Sequence, residues 1–126
     1  MKKLLAIALL FVAGFTFAEG EVEVARHQFT SAIEQREPVD ELTDAKNVNP
    51  LYFFTDLRNF EGTVVTHRWS YNGNVMAEVN FNVGGPRWRV YSSKKLQPEW
   101  DGVWKVEVLD ETGSFVSIDT INISID

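Results

Sequence analysis

The fold is decided by the stretch Thr63–Val83, which reads TVVTHRWSYNGNVMAEVNFNV. Polar and apolar residues alternate on both sides of Asn72-Gly73, and a period of two is typical of strands with one buried face. The stretch therefore predicts a β-hairpin. The residues predicted to face the core are Val65, His67, Trp69, Tyr71, Val75, Ala77, Val79, Phe81 and Val83.

The turn of this hairpin has two possible forms. Asn-Gly favours a two-residue type I′ turn, but a regular two-residue register would place Arg68 on the apolar face. A three-residue loop, Tyr71–Gly73 with a left-handed Gly73, instead pairs Trp69 with Val75 and keeps the apolar residues together. We therefore predict a bulged turn of three residues.

Strand signals continue on both sides of the hairpin. Seven strands are predicted, over residues 22–29, 51–57, 63–71, 75–83, 87–93, 103–109 and 115–125. The polar residues 31–49 predict a long surface loop, with one helical turn near Val39–Leu42. Short strands, frequent turn signals and no long helix favour an all-β fold, an immunoglobulin-like antiparallel β-sandwich of about seven strands. Trp69, Trp88 and Trp104 fall on its core-facing sides.

The N-terminus predicts export. Lys2 and Lys3 precede an apolar run, Leu4–Phe17, and Ala18 ends a small-residue cleavage site, so residues 1–18 are interpreted as a signal peptide. An uncleaved anchor is the alternative, although the run is shorter than the roughly 20 residues that span a bilayer. We expect a periplasmic protein with a single β-sandwich domain, residues 19–126, and no membrane span after cleavage.

Composition excludes several classes of function. The chain contains no cysteine, which excludes disulfide scaffolds, thiolate metal sites and cysteine nucleophiles. Residues 1–18 carry two lysines and no acid, so their removal changes the net charge from −6 to −8, which disfavours nucleic-acid binding. His27 and His67 lack metal-ligand spacing, and His67 is predicted to be a hydrogen-bonded core residue. We expect no cofactor and no metal.

Basic residues concentrate in one part of the chain. Between Gly62 and Pro98 there are five basic residues and one acid, in a chain that is otherwise acidic. If the tryptophans face the core, Arg68, Arg87 and Arg89 face away from it, and guanidinium groups beside an aromatic ring suit carboxylate or phosphate recognition. The predicted binding residues are Arg68, Arg87, Arg89, Tyr91, Lys94 and Trp100. The alternative is that the arginines pair with acids of the protein itself.

These observations favour a non-catalytic interaction module over an enzyme. The module would hold an acidic partner protein or envelope polymer at its basic face, or pair a partner strand along a sheet edge. The alternative is a cell-envelope carbohydrate-binding or carbohydrate-cleaving protein that uses Trp100 with Glu99 and Asp101. Ser92-x-x-Lys95 matches the nucleophile pattern of β-lactamases, but it leaves a strand rather than lying on a helix, so catalysis there is disfavoured.

Short motifs along the chain are similar to those of one known family. They are Phe29-Thr30, Ile33, Arg36-Glu37-Pro38-Val39-Asp40, Tyr52-Phe53-Phe54-Thr55, His67-Arg68-Trp69, Pro86-Arg87-Trp88-Arg89-Val90, Ser92-Ser93-Lys94 and Pro98-Glu99-Trp100 with Gly102 and Trp104. Together they resemble the bacterial domain of unknown function family DUF2914, over nearly all of the chain after the signal. The resemblance implies a compact β-rich domain, often at the C-terminal end of envelope-associated proteins, with no established activity.

Overall fold

Ten strands make up the part of the protein that the computed structural model describes, residues 21–126. In chain order they are β1 (Glu23–Thr30), β2 (Ile33–Glu34), β3 (Glu37–Pro38), β4 (Asp44–Lys46), β5 (Leu51–Arg58), β6 (Val64–Tyr71), β7 (Asn74–Asn82), β8 (Arg87–Lys94), β9 (Gly102–Leu109) and β10 (Phe115–Ser124). A single turn of 3-10 helix, Pro98–Trp100, lies between β8 and β9. The predicted signal peptide, residues 1–18, lies outside the described residues.

The long strands form two sheets that pack face to face. One sheet has the order β1-β5-β8, and the other has the order β4-β10-β9-β6-β7, in which β4 pairs in parallel with β10. The first, second and fifth of the seven long strands therefore share one sheet, and the other four share the second. This division is that of an immunoglobulin-like sandwich, and it confirms the predicted all-β sandwich. Three short strands raise the count from about seven to ten.

The long loop predicted over residues 31–49 is corrected by the structure. The two-residue strands β2 and β3 pair as a small hairpin, and β4 joins the five-stranded sheet, with Ala45 buried opposite Ile123. Leu42 pairs with Phe29 in an antiparallel bridge near the place where a helical turn was predicted. Strands of two or three residues are too short to show a periodicity, so no alternation marks them in the sequence.

The core lies between the two sheets and contains the largest aromatic residues. Trp69, Trp104 and Phe53 are fully buried, and the rings of Trp69 and Trp104 meet edge to face with centroids 6.4 Å apart. Each such ring contributes about 1.5 to 3 kcal/mol by leaving water. Trp88 is half-buried at the rim of the core, where its ring covers Gly84 so closely that a Cβ there would lie 2.9 Å from it.

The β6–β7 hairpin keeps the predicted faces except at Val75 and at Met76, which packs against the core. Its turn and register differ from the prediction, since Trp69 pairs with Ala77 rather than Val75. Asn72 and Gly73 form a two-residue loop with φ of 52° and 79°, the left-handed pair that a type I′ turn requires. The extra residue is Met76, which bulges out of the pairing next to Trp69. The bulge, rather than the turn, keeps the apolar residues on one face. Val75, predicted to point inward, lies between the turn and the bulge and is 55% exposed.

Candidate functional site

Strand β8 carries three of the predicted binding residues on the outer side of the three-stranded sheet. Val90 and Ser92 are buried, while Arg87, Arg89 and Tyr91 are exposed, as the alternation predicted. Within residues 21–126, β8 pairs with β5 and forms one edge of the sheet. One side of its backbone therefore has no neighbouring strand.

The register of the sheet brings further charged side chains beside β8. Asp56 of β5 lies opposite Arg89 on one side and opposite Arg26 of β1 on the other. Arg58 of β5 lies opposite Arg87. Residues directly opposite each other share a face of the sheet, with Cβ atoms about 4.5–5.5 Å apart. We call this outer surface the arginine face and define it by Arg26, Asp56, Arg58, Arg87 and Arg89.

Asp56 is the buried centre of the arginine face. Its side chain is 7% exposed, and its two oxygens accept from Arg58 Nε and Nη2, both at 3.1 Å, and from Arg26 Nε at 3.4 Å. Burial favours the neutral acid, but the hydrogen bonds and charges of Arg58 and Arg26 outweigh it and hold the pKa of Asp56 below its usual 3.8. Asp56 is therefore ionised and fixes the position of both guanidinium groups.

Glu37 reaches the arginine face from the β2–β3 hairpin. Its carboxylate forms a fork with Arg26, Oε1 to Nη1 at 3.0 Å and Oε2 to Nη2 at 2.9 Å, and Oε2 also accepts from Arg89 Nη1. The hydrogen bonds from Arg26 and then Arg89 lower the pKa of Glu37 to about 2. The base of the hairpin is held separately by Asp40, which accepts from the Ser31 N–H at 2.8 Å.

A pocket of about 260 Å³ lies where these side chains meet. It is lined by Arg26, Glu37, Asp56, Arg87 and Arg89, so three positive and two negative charges surround it. Arg87 is exposed, and no acid among residues 21–126 lies within 4.0 Å of its guanidinium. A free guanidinium beside other positive charges can bind a carboxylate or phosphate by donating two parallel hydrogen bonds.

Aromatic side chains extend the same outer surface along the strands. Phe54 is fully buried beneath Arg26, whose guanidinium carbon lies 4.9 Å from the ring centroid. Tyr91 is 46% exposed and meets Tyr52 edge to face, with ring centroids 6.1 Å apart. The exposed part of Tyr91 offers a ligand apolar contact area next to the charged groups.

Arg68 does not join this surface. It lies on β6 in the five-stranded sheet, where its guanidinium contacts Glu78 at 2.9 Å and Glu107 at 3.4 Å. Lys105 Nζ lies 3.5 Å from the same Glu107. Pairing with acids of the protein itself was the alternative interpretation of the arginines, and it describes Arg68.

Lys94 and Trp100 lie together at the connection between β8 and β9. Lys94 Nζ is 5.0 Å from the Trp100 ring centroid, and the half-buried Trp100 ring meets Trp104 at 5.8 Å. Asp101 uses its Oδ1 atom to accept the N–H of Ile125 at 2.9 Å. The predicted binding residues that share the arginine face are Arg87, Arg89 and Tyr91, with Tyr91 at its border.

Sequence reasoning missed Arg26, Glu37 and Asp56 as site residues. Their meeting depends on the order of the strands and on the β2–β3 hairpin, which no local pattern reveals. One signal was present, because Asp56 interrupts the apolar run of β5. A charge within a buried strand requires a partner of opposite sign.

His67 belongs to the core rather than to a surface site. Its Nε2 lies 3.0 Å from Thr55 Oγ1 and its Nδ1 lies 2.7 Å from Ser92 Oγ, which also accepts from Trp69 Nε1 at 3.0 Å. Complete burial lowers the pKa of His67 to about 3, so the ring is neutral. This confirms the predicted hydrogen-bonded core histidine. It also places the Ser92 hydroxyl inside the core.

The charged groups that line the pocket are held in their ionised states. Arginine does not give up its proton near neutral pH, and the pKa values of Glu37 and Asp56 are both lowered, so neither can act as a general acid there. Across residues 21–126, no group of three or more His, Cys, Asp or Glu side chains could hold a metal ion.

No helix in this described part is long and apolar enough to cross a membrane.

Comparisons with known proteins bear on the later part of the chain. No curated protein matches the sequence. A family match begins at Gly62, before β6, and ends at Thr120 within β10, so it includes Arg87 and Arg89 but not Glu37. It is shorter than the predicted resemblance, whose earlier motifs lie outside it. Over residues 62–120 the chain matches the family described as Protein of unknown function (DUF2914), and this match confirms the resemblance to that family.

Proposed function

We propose that the protein is a non-catalytic periplasmic interaction module that holds an acidic partner protein or an acidic envelope polymer at the arginine face. The observation that carries this proposal is the position of Arg87. Its guanidinium is exposed, lies two residues from Arg89 on the same face, and has no acid partner among residues 21–126. The pocket beside it has an excess of positive charge.

The charge of the whole chain supports a directed mode of binding. The chain has a net charge of −6, whereas the pocket lining has three arginines and two acids. An acidic ligand is repelled by most of such a surface and attracted to this pocket, which orients it during approach. Tyr91 would then supply apolar contact area at the border of the pocket. Export, expected from residues 1–18, would bring this face into contact with envelope components.

A second candidate is a carbohydrate-binding or carbohydrate-cleaving protein that uses Trp100 with Glu99 and Asp101. Glu99 is exposed beside the partly accessible Trp100 ring, which favours this candidate. However, Lys94 lies over the Trp100 ring, Trp104 meets it edge to face, and Asp101 accepts a backbone hydrogen bond. The ring and one of the two acids therefore already have partners within the protein, so we rank this candidate second.

The proposal is tested by comparing Arg87→Glu with Lys95→Glu. Both residues are exposed and both variants change the net charge equally, but Lys95 lies in the connection after β8. At low ionic strength we expect Arg87→Glu to weaken binding of fluorescent poly-L-glutamate or polygalacturonate about tenfold or more, because it replaces a favourable charge pair by a repulsive one. Lys95→Glu should change the affinity less than about twofold.

Binding that falls equally in both variants would indicate non-specific attraction to positive charge and contradict the proposal. The same holds if neither polymer binds the wild-type protein. In periplasmic extract, the double variant Arg87→Glu/Arg89→Glu should lose the crosslinked partners that the wild type captures. Unchanged partners would exclude the arginine face as the docking surface.

A further inference from the structure

The contacts of Glu37 differ on the two sides of the pocket. Toward Arg26 the carboxylate makes a two-bond fork, and Arg26 also contacts Asp56. Toward Arg89 it offers one oxygen that the fork already uses. Within residues 21–126, Glu37 is the one acid that Arg89 contacts, and the neighbouring Arg87 contacts none. The β8 side of the pocket is therefore short of negative charge.

We propose that Glu37 is an internal substitute for a carboxylate of the partner. A glutamate or aspartate side chain from an extended segment of a partner protein binds Arg87 and takes over Arg89 from Glu37. This inference rests on the proposed function and narrows the ligand to an acidic polypeptide. Glu37 itself demonstrates that the pocket accepts a polypeptide carboxylate between two arginines.

Strand β8 offers such a segment both charge and backbone. It is an edge strand, so backbone groups along one side have no strand partner within the described part of the chain. Arg87 and Arg89 are two residues apart, which is about 7 Å along a strand. Acids at every second position of an extended partner have the same spacing and would meet both arginines at once. An acidic polysaccharide cannot pair its backbone with a strand edge, so a polypeptide fits better.

Transfer of Arg89 from Glu37 to the partner leaves no buried charge without a counter-ion. Arg26 keeps its contact with Asp56, and the Glu37 side chain is already 42% exposed, so it can be hydrated. Asp40 continues to hold the base of the hairpin. Exposed ion pairs contribute little to stability. The exchange of one such pair for another is therefore not opposed by a large free-energy cost.

The test compares Glu37→Gln with Glu34→Gln. Both positions lie on the β2–β3 hairpin and both variants remove one negative charge, but Glu34 is exposed and makes no ion pair within residues 21–126. At low ionic strength we expect Glu37→Gln to bind fluorescent poly-L-glutamate about fivefold more tightly than Glu34→Gln, because it removes the competing carboxylate. Equal affinities, or weaker binding by Glu37→Gln, would overturn the inference.

An Arg87→Gln variant separates the failure of this inference from the failure of the proposed function. If Arg87→Gln loses binding of poly-L-glutamate while Glu37→Gln behaves like Glu34→Gln, the face binds acids and the exchange is wrong. If only polygalacturonate binds, and does so through Arg87, the polypeptide ligand is wrong while the proposed function stands. If Arg87→Gln binds as the wild type does, both are wrong.

NMR of the wild-type protein tests the exchange without any substitution, so the result does not depend on whether a Glu37 variant folds. The Nε–H signals of Arg26, Arg87 and Arg89 are followed while poly-L-glutamate is added. We expect the signals of Arg87 and Arg89 to shift together and the signal of Arg26 to shift less. If Arg87 shifts while Arg89 does not, Glu37 keeps its contact and the inference fails.

Discussion

The buried His67 should make the stability of the protein fall as the solution is acidified. In the folded state the ring is completely buried between the two sheets, and its pKa is lowered to about 3 from the ordinary 6.5. In the unfolded chain the ring is hydrated and titrates near 6.5. Protonation therefore favours the unfolded state. The stability that comes from the neutral ring is complete above about pH 6.5 and is lost progressively toward pH 3.

The size of the effect follows from these two pKa values. Each unit of pH between them costs about 1.4 kcal/mol, because the unfolded state binds one proton that the folded state does not. Between pH 7.5 and pH 5.0 the free energy of unfolding should fall by about 2 kcal/mol. This window lies above the ordinary pKa values of the acids in the structure, 3.8 for aspartate and 4.5 for glutamate. His67 should therefore dominate the slope there.

The assay is urea unfolding at pH 7.5 and pH 5.0, followed by the fluorescence of the buried Trp69 and Trp104. His27 is the other histidine and lies at the surface 2.7 Å from Asp119, so His27→Gln is the reference in which His67 is the remaining histidine. The double variant His27→Gln/His67→Gln also removes the buried ring, and the glutamine amide that replaces this ring can still donate and accept hydrogen bonds. We expect a loss of about 2 kcal/mol in the reference and less than about 0.5 kcal/mol in the double variant.

Two results would refute this reasoning. A free energy of unfolding that is the same at both pH values in the His27→Gln reference would show that His67 is not desolvated in the folded state. A slope that survives in the double variant would assign the pH dependence to another group. A lower stability of the double variant at both pH values is expected, because Thr55 and Ser92 lose well-placed partners, and does not affect the comparison of slopes.

Two further substitutions test the packing and the charge network. Gly84→Ala should lower the free energy of unfolding by about 1 to 3 kcal/mol, because the added Cβ would lie 2.9 Å from the Trp88 ring. Gly85→Ala, whose Cβ would lie 3.4 Å from the same ring, should lower the free energy of unfolding less. Equal effects of the two substitutions in urea unfolding would contradict this prediction. Asp56→Asn should lower the free energy of unfolding by about 2 to 4 kcal/mol, because Arg58 loses its charged partner. A loss below about 0.5 kcal/mol would show that the Asp56–Arg58 pair is not important for stability.

Alternation along the strands predicted most of the fold because one-sided burial has a large effect on free energy. Val65, His67 and Trp69 point inward as expected, and all three are fully buried. The error in the β6–β7 hairpin has a simple cause. One extra residue somewhere in the hairpin keeps the apolar side chains on one face, and parity does not say whether that residue lies in the turn or in the strand. The structure places it at Met76.

The candidate site was predictable only in part. The outward direction of Arg87 and Arg89 follows from the parity of β8, which depends on Trp88 and Val90 facing the core. Their distance from Arg68 depends on the strand order, since β6 and β8 belong to different sheets. Glu37 contacts Arg89 across 52 positions of sequence, and it lies on a hairpin whose two strands are too short to be predicted from periodicity.

Charge that is segregated along the sequence is not necessarily segregated on the surface. Arg68 contacts Glu78 and Glu107, Lys94 lies over an aromatic ring, and Arg89 contacts Glu37. Most of the apparent basic segment is therefore satisfied within the protein. The proposed binding would then depend on the charge that is left over and on a contact that can be exchanged. Arg87 provides the unpaired charge, and the Glu37–Arg89 pair provides the exchangeable contact. The affinity for an acidic ligand should therefore change on substitution at these positions and not at Arg68.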